Sequence, residues 1–418
     1  MHVTHLSLTN FRNYGRLELP LPTRPVLLQG NHAQGKTNLL EAIYYLATSR
    51  SPQADNDQQL INWEAAESGE PIIVGRINAQ LETQAGSRIV EMRLIRERNE
   101  GNQRGQRPYS FRREAVVNRR TVRLMDLLGN LRVVLFLPQD MQLITGSPSG
   151  RRRYMDTVLC QMDGVYCRHL SQYNKALEQR NALLRQLAEG KGGRDTLPIF
   201  TDKVVELGSR IFARRALFMS ELGREAQRIH YEELTSGNES IRLRYLPRLQ
   251  EDGLNRGGTV SQLTALSEWL RENSVDMQTI NGRFQSIMQS ALATDLVRGT
   301  TSIGPHRDDW LVEINGRDLS SFGSRGQQRS SVLSLKLAEI NWVTAQTNDP
   351  PVLLLDEVAA ELDGQRRALL LEYIQHASQA ILTTTESDRF PVDFMRNTTL
   401  LTVANGRSDE HTSELQSH

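Results

Sequence analysis

Cysteine is almost missing from this chain, with only Cys160 and Cys167 in 418 residues. Two thiols make no disulfide framework. The six residues between them do not match common zinc spacing either. Both read as free thiols of a reducing, cytoplasmic compartment. No apolar run reaches the roughly eighteen residues of a membrane-spanning helix. The opening residues, MHVTHLSLTNFRNY, have neither a basic stretch nor a continuous apolar core, so they do not read as a secretory leader. Excess charge is missing too. The formal net charge is +1, so the chain as a whole does not advertise a nucleic-acid partner. Internal repeats and long low-complexity tracts are also absent. What remains, 38% hydrophobic and 24% charged, is the composition of a globular protein of one large domain or two to three ordinary ones.

The charge is unevenly spread. Arg104, Arg107, Arg112, Arg113, Arg119, Arg120 and Arg123 fall in one stretch with a single acid, Glu114. SGRRRYMD adds Arg151, Arg152 and Arg153. Such stripes can neutralise phosphates even on a neutral protein. They can equally be solvated faces of strands or loops.

Along the chain, the first third reads as strands: PVLLQG, PIIVGRINAQL, RIVEMRLI and LRVVLFLP. The middle reads as helices. Phe200, Val204, Leu207, Ile211, Phe218, Leu222 and Ile229 recur at helical spacing, predicting one long amphipathic helix or two stacked pieces. GKGGRD (190–195) is the expected turn between this segment and the helix before it, giving a short antiparallel arm rather than a rod. The last third returns to strands in WLVEING, VLLLDE, AILTTTE and TLLTVANG. The expected organisation is a head built from 1–150 and 300–406, interrupted by a helical insertion at 151–299. Residues 407–418, RSDEHTSELQSH, fit nothing in this pattern and resemble a translated sequencing adapter, so the natural end is expected near Gly406.

The segment GNHAQGKT, Gly30 to Thr37, satisfies G-x-x-x-x-G-K-[ST] throughout. A short apolar run precedes it, and TNLLEAIYYLAT follows with Leu39, Ile43 and Leu46 on one face. Strand, loop and helix are what phosphate binding needs. Glycines let the backbone curl, its N–H groups converge, and the helix N-terminus adds partial positive charge. Gly30, Asn31, His32, Ala33, Gln34 and Gly35 would form the cradle of ATP. Lys36 would reach its β- and γ-phosphates, and Thr37 would ligate Mg2+. VLLLDE would deliver Asp356 to the Mg2+ and Glu357 as general base from the C-terminal edge of a buried strand. Alone, that run would be only a strand and a turn.

A second loop, SFGSRGQQRS, leads into another helix pattern carrying Leu333, Leu337 and Ile340. Its position almost three hundred residues after the first loop raises the question of why one chain needs two. The order of phosphate loop, SRGQQ, VLLLDE and ELD (361–363) resembles an ABC-type P-loop ATPase head. SRGQQ is similar to the signature loop of those heads. The LTNFRNY, LPQDMQLITGSPSGRRRYMD and TSIGPHRDD segments narrow the resemblance to the RecF family of the SMC and RecF branch.

The resemblance implies an α/β fold, an ABC-type P-loop ATPase head with a mixed sheet core and a helical insertion forming a short arm. It implies that Ser324, Gly326 and Gln327 close on the ATP held by a second copy, giving an ATP-dependent homodimer. Arg12 and Asn13 would lie near the adenosine side, Gln139 would be a Q-loop-like residue, and Asp363 would lie at the dimer seam. Thr384 or Thr385 stands where other heads carry a histidine. His306 could sense the γ-phosphate or simply be packed. The resemblance further implies a weak, slow ATPase acting in recombinational repair and replication and in SOS induction. It would bind single-stranded, gapped or double-stranded DNA with little sequence preference. Its partners would be RecR, with RecO and RecA acting alongside. The competing readings are a transporter ATPase, which would need a membrane-coupling surface, and a structural DNA tether, which would need a long heptad rod.

Overall fold

The computed structural model describes residues 1–99, 109–191, 193, 195–250, 260–404 and 407–410. In chain order the strands are β1 (His2–Phe11), β2 (Tyr14–Pro20), β3 (Val26–Gln29), β4 (Ile72–Thr83), β5 (Gly86–Arg98), β6 (Tyr109–Val117), β7 (Arg120–Val122) and β8 (Val133–Phe136). They continue with β9 (Ile241–Leu246), β10 (Asp309–Ile314), β11 (Arg317–Asp318), β12 (Val352–Asp356), β13 (Ala380–Thr384), β14 (Thr399–Ala404) and β15 (Arg407–Glu410). The chain forms two compact units: Met1–Gln139 with Glu339–His418, and Asp140–Ala338.

The first unit holds two sheets. One has the order β15-β14-β3-β13-β12-β8. Its pairs from β14 to β8 are parallel, and only β15 runs antiparallel at the edge. Every residue of β12 and β13 is buried, and both strands are mostly apolar. Parallel strands covered on both faces read that way. The β15 residues begin the stretch expected to be a non-native tail; 411–418 lie outside the described residues.

The other sheet has the order β2-β1-β4-β5-β6-β7 and is antiparallel throughout. Strand β4 alternates exposed and buried positions, as a sheet with one wet face does. Leu6, Leu8, Phe11 and Tyr14 from this sheet share one core with Leu39, Ile43 and Leu46 of the helix Lys36–Thr48 and with Val26 and Leu354 of the parallel sheet. That common core fixes the phosphate-loop helix between the two sheets.

The second unit is mainly helical. Leu197–Arg228 is one unbroken helix, about 48 Å long at 1.5 Å per residue. A π-helical turn, Ile229–Leu234, ends it. Val204, Leu207, Ile211, Phe218 and Leu222 are buried as their spacing predicts. This helix packs antiparallel on Gly164–Ala188. Arg180 meets Thr201 near one end of the pair, and Tyr166 meets Arg215 farther along. Residues 192 and 194 of the expected turn lie outside the described residues.

The unit is wider than the predicted insertion at 151–299, because segments from both flanks are built into it. Strand β10, expected to belong with the head, pairs with β9 instead, with Trp310 opposite Tyr245. Together with β11 they form a three-stranded sheet. The pairing of WLVEI with a strand more than sixty residues earlier leaves no trace in local periodicity.

Candidate functional site

The first loop departs from β3 and closes onto the helix Lys36–Thr48. Its curl depends on glycine at two points. Gly35 has φ of 108°, and a Cβ there would meet Asn13 Nδ2 at 2.5 Å and the Tyr14 hydroxyl at 2.8 Å. A Cβ at Gly30 would meet the Val403 carbonyl oxygen at 2.3 Å. Ala33 also has positive φ, 63°. Asn31, His32 and Ala33 are exposed and Gln34 is half-buried. Thus the loop is open where a phosphate would sit and anchored where it meets the sheet.

Asn13 anchors that loop from the side. Its Nδ2 donates to Gln34 O at 3.0 Å, and its Oδ1 accepts from Asn38 at 2.8 Å. Arg12 does something else. It forms a bidentate pair with the buried Glu41 carboxylate, at 2.7 Å for both bonds. Glu41 lies 29 residues away. Sequence reasoning placed Arg12 by resemblance alone and missed Glu41, which has no local motif.

The chemistry converges at the end of β12. Lys36 is buried; its Nζ donates to Gly30 O at 2.7 Å and Asn31 O at 3.0 Å and lies 3.5 Å from Glu357 Oε1. The Thr37 hydroxyl sits 2.8 and 3.1 Å from the two Asp356 oxygens. The Thr383 hydroxyl donates to Asp356 at 2.8 Å and accepts the Glu357 N–H at 2.9 Å. Burial pushes the Asp356 carboxyl above its usual range, while Thr383 and Thr37 pull it back. Glu357 has φ of 54°. A non-glycine residue in that region is strained, and such strain is found where geometry is dictated by function. Its side chain remains 33% exposed, so water can reach it.

One hydroxyl and one carboxylate form a hard oxygen pair suited to Mg2+, which fills its remaining positions with water and phosphate oxygens. Among the described residues no cluster of three or more His, Cys, Asp or Glu side chains could cage a metal alone. Thr384 spends its hydroxyl on a turn, donating to Glu386 O at 2.8 Å and accepting Glu386 N–H at 3.1 Å. Thr385 is half-buried just beyond it. Gln139 lies exposed in the short turn Pro138–Met141. It follows β8, which runs parallel to β12, so both leave the sheet at the same end. Asp363 caps the helix Gly364–His376 by accepting Arg366 N–H at 3.0 Å and stays exposed.

The second loop belongs to the other unit. Ser324 stands immediately before the helix Arg325–Thr347. Its hydroxyl accepts the Gln327 N–H at 3.2 Å, and the Gln327 side chain accepts the Ser324 N–H at 2.9 Å. This is a capping box. Two amides that would need partners are satisfied reciprocally, and Ser324 is left exposed. The S-x-x-Q spacing was available in the sequence to show this.

The arginine clusters divide. Arg151 holds Asp309 at 2.6 and 2.8 Å and Gly146 O at 2.7 Å. Arg152 donates to Asp308 O at 2.6 Å. Arg113 pairs with Asp57 at 2.8 Å, Arg123 with Asp126 at 2.8 Å, and Arg112 with Glu114. Arg119, Arg120 and Arg153 are exposed, the first two at the tight β6–β7 turn. Arg104 and Arg107 lie outside the described residues.

GPHRDD also resolves into packing. A Cβ on Gly304, at φ 135°, would meet the Tyr173 hydroxyl at 2.6 Å. His306 accepts the Tyr173 hydroxyl at 2.7 Å and donates to Thr301 O at 3.1 Å. Burial lowers its pKa from 6.5 to about 4, so the ring is neutral. Asp308 is fully buried on Arg215 at 2.9 Å, the Arg248 N–H at 2.7 Å and Tyr245. His306 is thus a packed histidine rather than one aimed at a phosphate.

Known proteins resemble this chain over nearly its whole length. The family described as RecF/RecN/SMC N terminal domain matches residues 2–408. A DNA replication and repair protein RecF from Roseiflexus castenholzii is 37% identical over 401 residues, covering 94% of this chain and 96% of that protein. Its counterpart from Bacillus cereus is 34% identical over 412 residues, covering 98% of each. Among solved structures, the recombination mediator protein RecF with ATP, of the RecFOR pathway, superposes with a TM-score of 0.80 at 27% identity over 98% of both chains.

Proposed function

The chain belongs to the RecF family, and from that premise we propose that it is an ATP-gated DNA-binding protein of replication and repair. One observation carries the reading: Lys36, Thr37, Asp356 and Glu357 converge at one sheet edge behind a glycine-shaped loop. ATP binding in a solved RecF structure supports the same assignment here. In this reading the loop amides and Lys36 hold the phosphates, and Thr37 and Asp356 hold Mg2+. The bound ion supplies charge neutralisation at the phosphates. Glu357 takes the proton from an attacking water.

The capped loop at Ser324 then closes on the nucleotide of a second copy, as the two-fold arrangement of such heads requires. Anything that binds the dimer but not the monomer favours the dimer by mass action. ATP acts as that ligand, and slow hydrolysis ends the association. DNA is held through its phosphates by Arg119, Arg120 and Arg153, with little sequence preference. RecR, RecO and RecA are the proposed co-workers, in a cytoplasmic setting; no described helix is long and apolar enough to cross a membrane.

Lys36→Met tests the site. A fluorescent ATP analogue should bind at least about a hundredfold more weakly, given the loss of a buried charge partner for phosphate. Unchanged affinity would remove Lys36 from the site.

A further inference from the structure

The signature glutamine, Gln327, makes one contact that neither the capping box nor the nucleotide reading uses. Its Nε2 donates to Glu239 Oε1 at 2.8 Å. Glu239 is 88 residues away in sequence. It follows the π-helical turn Ile229–Leu234 that ends the long arm helix Leu197–Arg228. Its other oxygen, Oε2, lies 3.5 Å from Nε2 of the fully buried His230. The Nδ1 of His230 in turn meets the Ser334 hydroxyl at 3.0 Å. Gln327 and Ser334 are seven residues apart on one helix, hence on one face, two turns apart.

The turn is built to hold this acid. The Thr235 hydroxyl accepts Glu239 N–H at 3.3 Å and lies 3.2 Å from Glu239 O, and it also reaches His230 O at 2.8 Å. Asn315 accepts the N–H of the next residue, Ser240, at 3.0 Å. The Glu239 backbone is therefore fixed on both sides before its side chain reaches Gln327. A π-helical turn at the end of a helix of 32 residues is itself uncommon, and such turns gather at functional positions.

We propose that Glu239 is the positioning residue of the signature loop. It grips Gln327 from the arm side, so that Ser324 is presented in a fixed geometry to the nucleotide of a second copy of this chain. Through His230 and the π-helical turn, the same grip ties the loop to the end of the arm helix. A displacement of that helix end is felt at Ser324. The inference rests on the ATP-dependent dimer proposed above and adds the residue that controls it.

The test compares wild type, Glu239→Ala and Glu239→Gln. Two quantities are read: affinity for a fluorescent, slowly hydrolysed ATP analogue, and dimer dissociation constant from mass against chain concentration with that analogue present. Nucleotide affinity should be the same in all three. Dimerisation of the alanine variant should weaken about tenfold or more, the scale of one charge-assisted hydrogen bond. The glutamine variant keeps an oxygen that accepts from Gln327 and should stay within about threefold of wild type, losing only the charge facing His230. Should the alanine variant melt early, Glu239→Asp replaces it, because an acid one methylene shorter falls out of reach of Gln327 and should weaken dimerisation likewise. The proposal is overturned if the alanine or aspartate variant dimerises like wild type, if nucleotide affinity falls in step with dimerisation, or if glutamine is as damaging as alanine. A wild type that stays monomeric with the analogue would refute the underlying dimer reading instead.

Discussion

Gly35 shows what a single residue does for the site. Its φ of 108°, with atoms of Asn13 and Tyr14 within 3 Å of where a Cβ would stand, leaves no room for alanine. Gly35→Ala should abolish binding of the ATP analogue and lower stability by about 2 kcal/mol, read from denaturant midpoints. Near-normal binding would contradict the geometry of the loop. His306 makes a second, pH-dependent case. Burial holds its pKa at about 4 in the folded chain against 6.5 when exposed. A lowered histidine favours the fold while neutral. Its contribution is complete above pH 6.5 and is lost as pH falls from 6.5 through about 4. The loss amounts to about 3 kcal/mol. Thermal melts of wild type and His306→Gln should therefore converge as the pH falls across that window; parallel curves would contradict a neutral packed ring. At this scale the phosphate loop, Asp356 and Glu357 were legible because each stands in a short local pattern, a glycine loop or an apolar strand ending in two acids, although Thr37 and Asp356 are 319 residues apart. Glu41, Asp308 and Glu239 were not. Their partners lie 29, 93 and 88 residues away, and even for Asp308, inside GPHRDD, nothing local shows which residue it meets.

Elements carry the contrast between capping and partnership. The loop before the helix Arg325–Thr347 reads from sequence as an anion site, and its S-x-x-Q pattern also forms a capping box. Ser324→Ala should cost about 1 kcal/mol of stability through the lost cap. The same change should leave nucleotide affinity unaltered. The arginine segments also separate by element. Charge reversal of Arg119 and Arg120, exposed at the β6–β7 turn, should weaken DNA binding and flatten its dependence on salt without lowering the melting temperature. Arg151→Glu should instead unfold the second unit by about 3 kcal/mol or more, because it leaves the Asp309 carboxylate facing a like charge. An Arg119 and Arg120 variant with an unchanged salt slope would move the DNA surface elsewhere. The long arm helix was legible because its apolar register persists over eight turns. Strand β9 and its pairing with β10 were not, since strand partners distant in sequence carry no shared period. That pairing is why the second unit extends beyond the predicted insertion.

For the whole molecule, the two loops are the central matter. The first stands on a parallel sheet, with Thr37 on Asp356 and Lys36 beside Glu357. The second has neither; it offers a capped helix start and an exposed serine, gripped from behind by Glu239. In the proposed reading one loop holds a nucleotide and the other meets one. If they serve the same ATP from two copies, damage to each should be complementary. Lys36→Met removes the holding loop and leaves the meeting loop intact. Ser324→Arg does the reverse. Either variant alone should remain monomeric with a slowly hydrolysed ATP analogue. An equimolar mixture rebuilds one complete site, formed by the phosphate loop of the Ser324→Arg chain and the signature loop of the Lys36→Met chain. Light scattering of that mixture should show two-chain particles that neither variant forms alone. A mixture no heavier than its separate components would contradict the account.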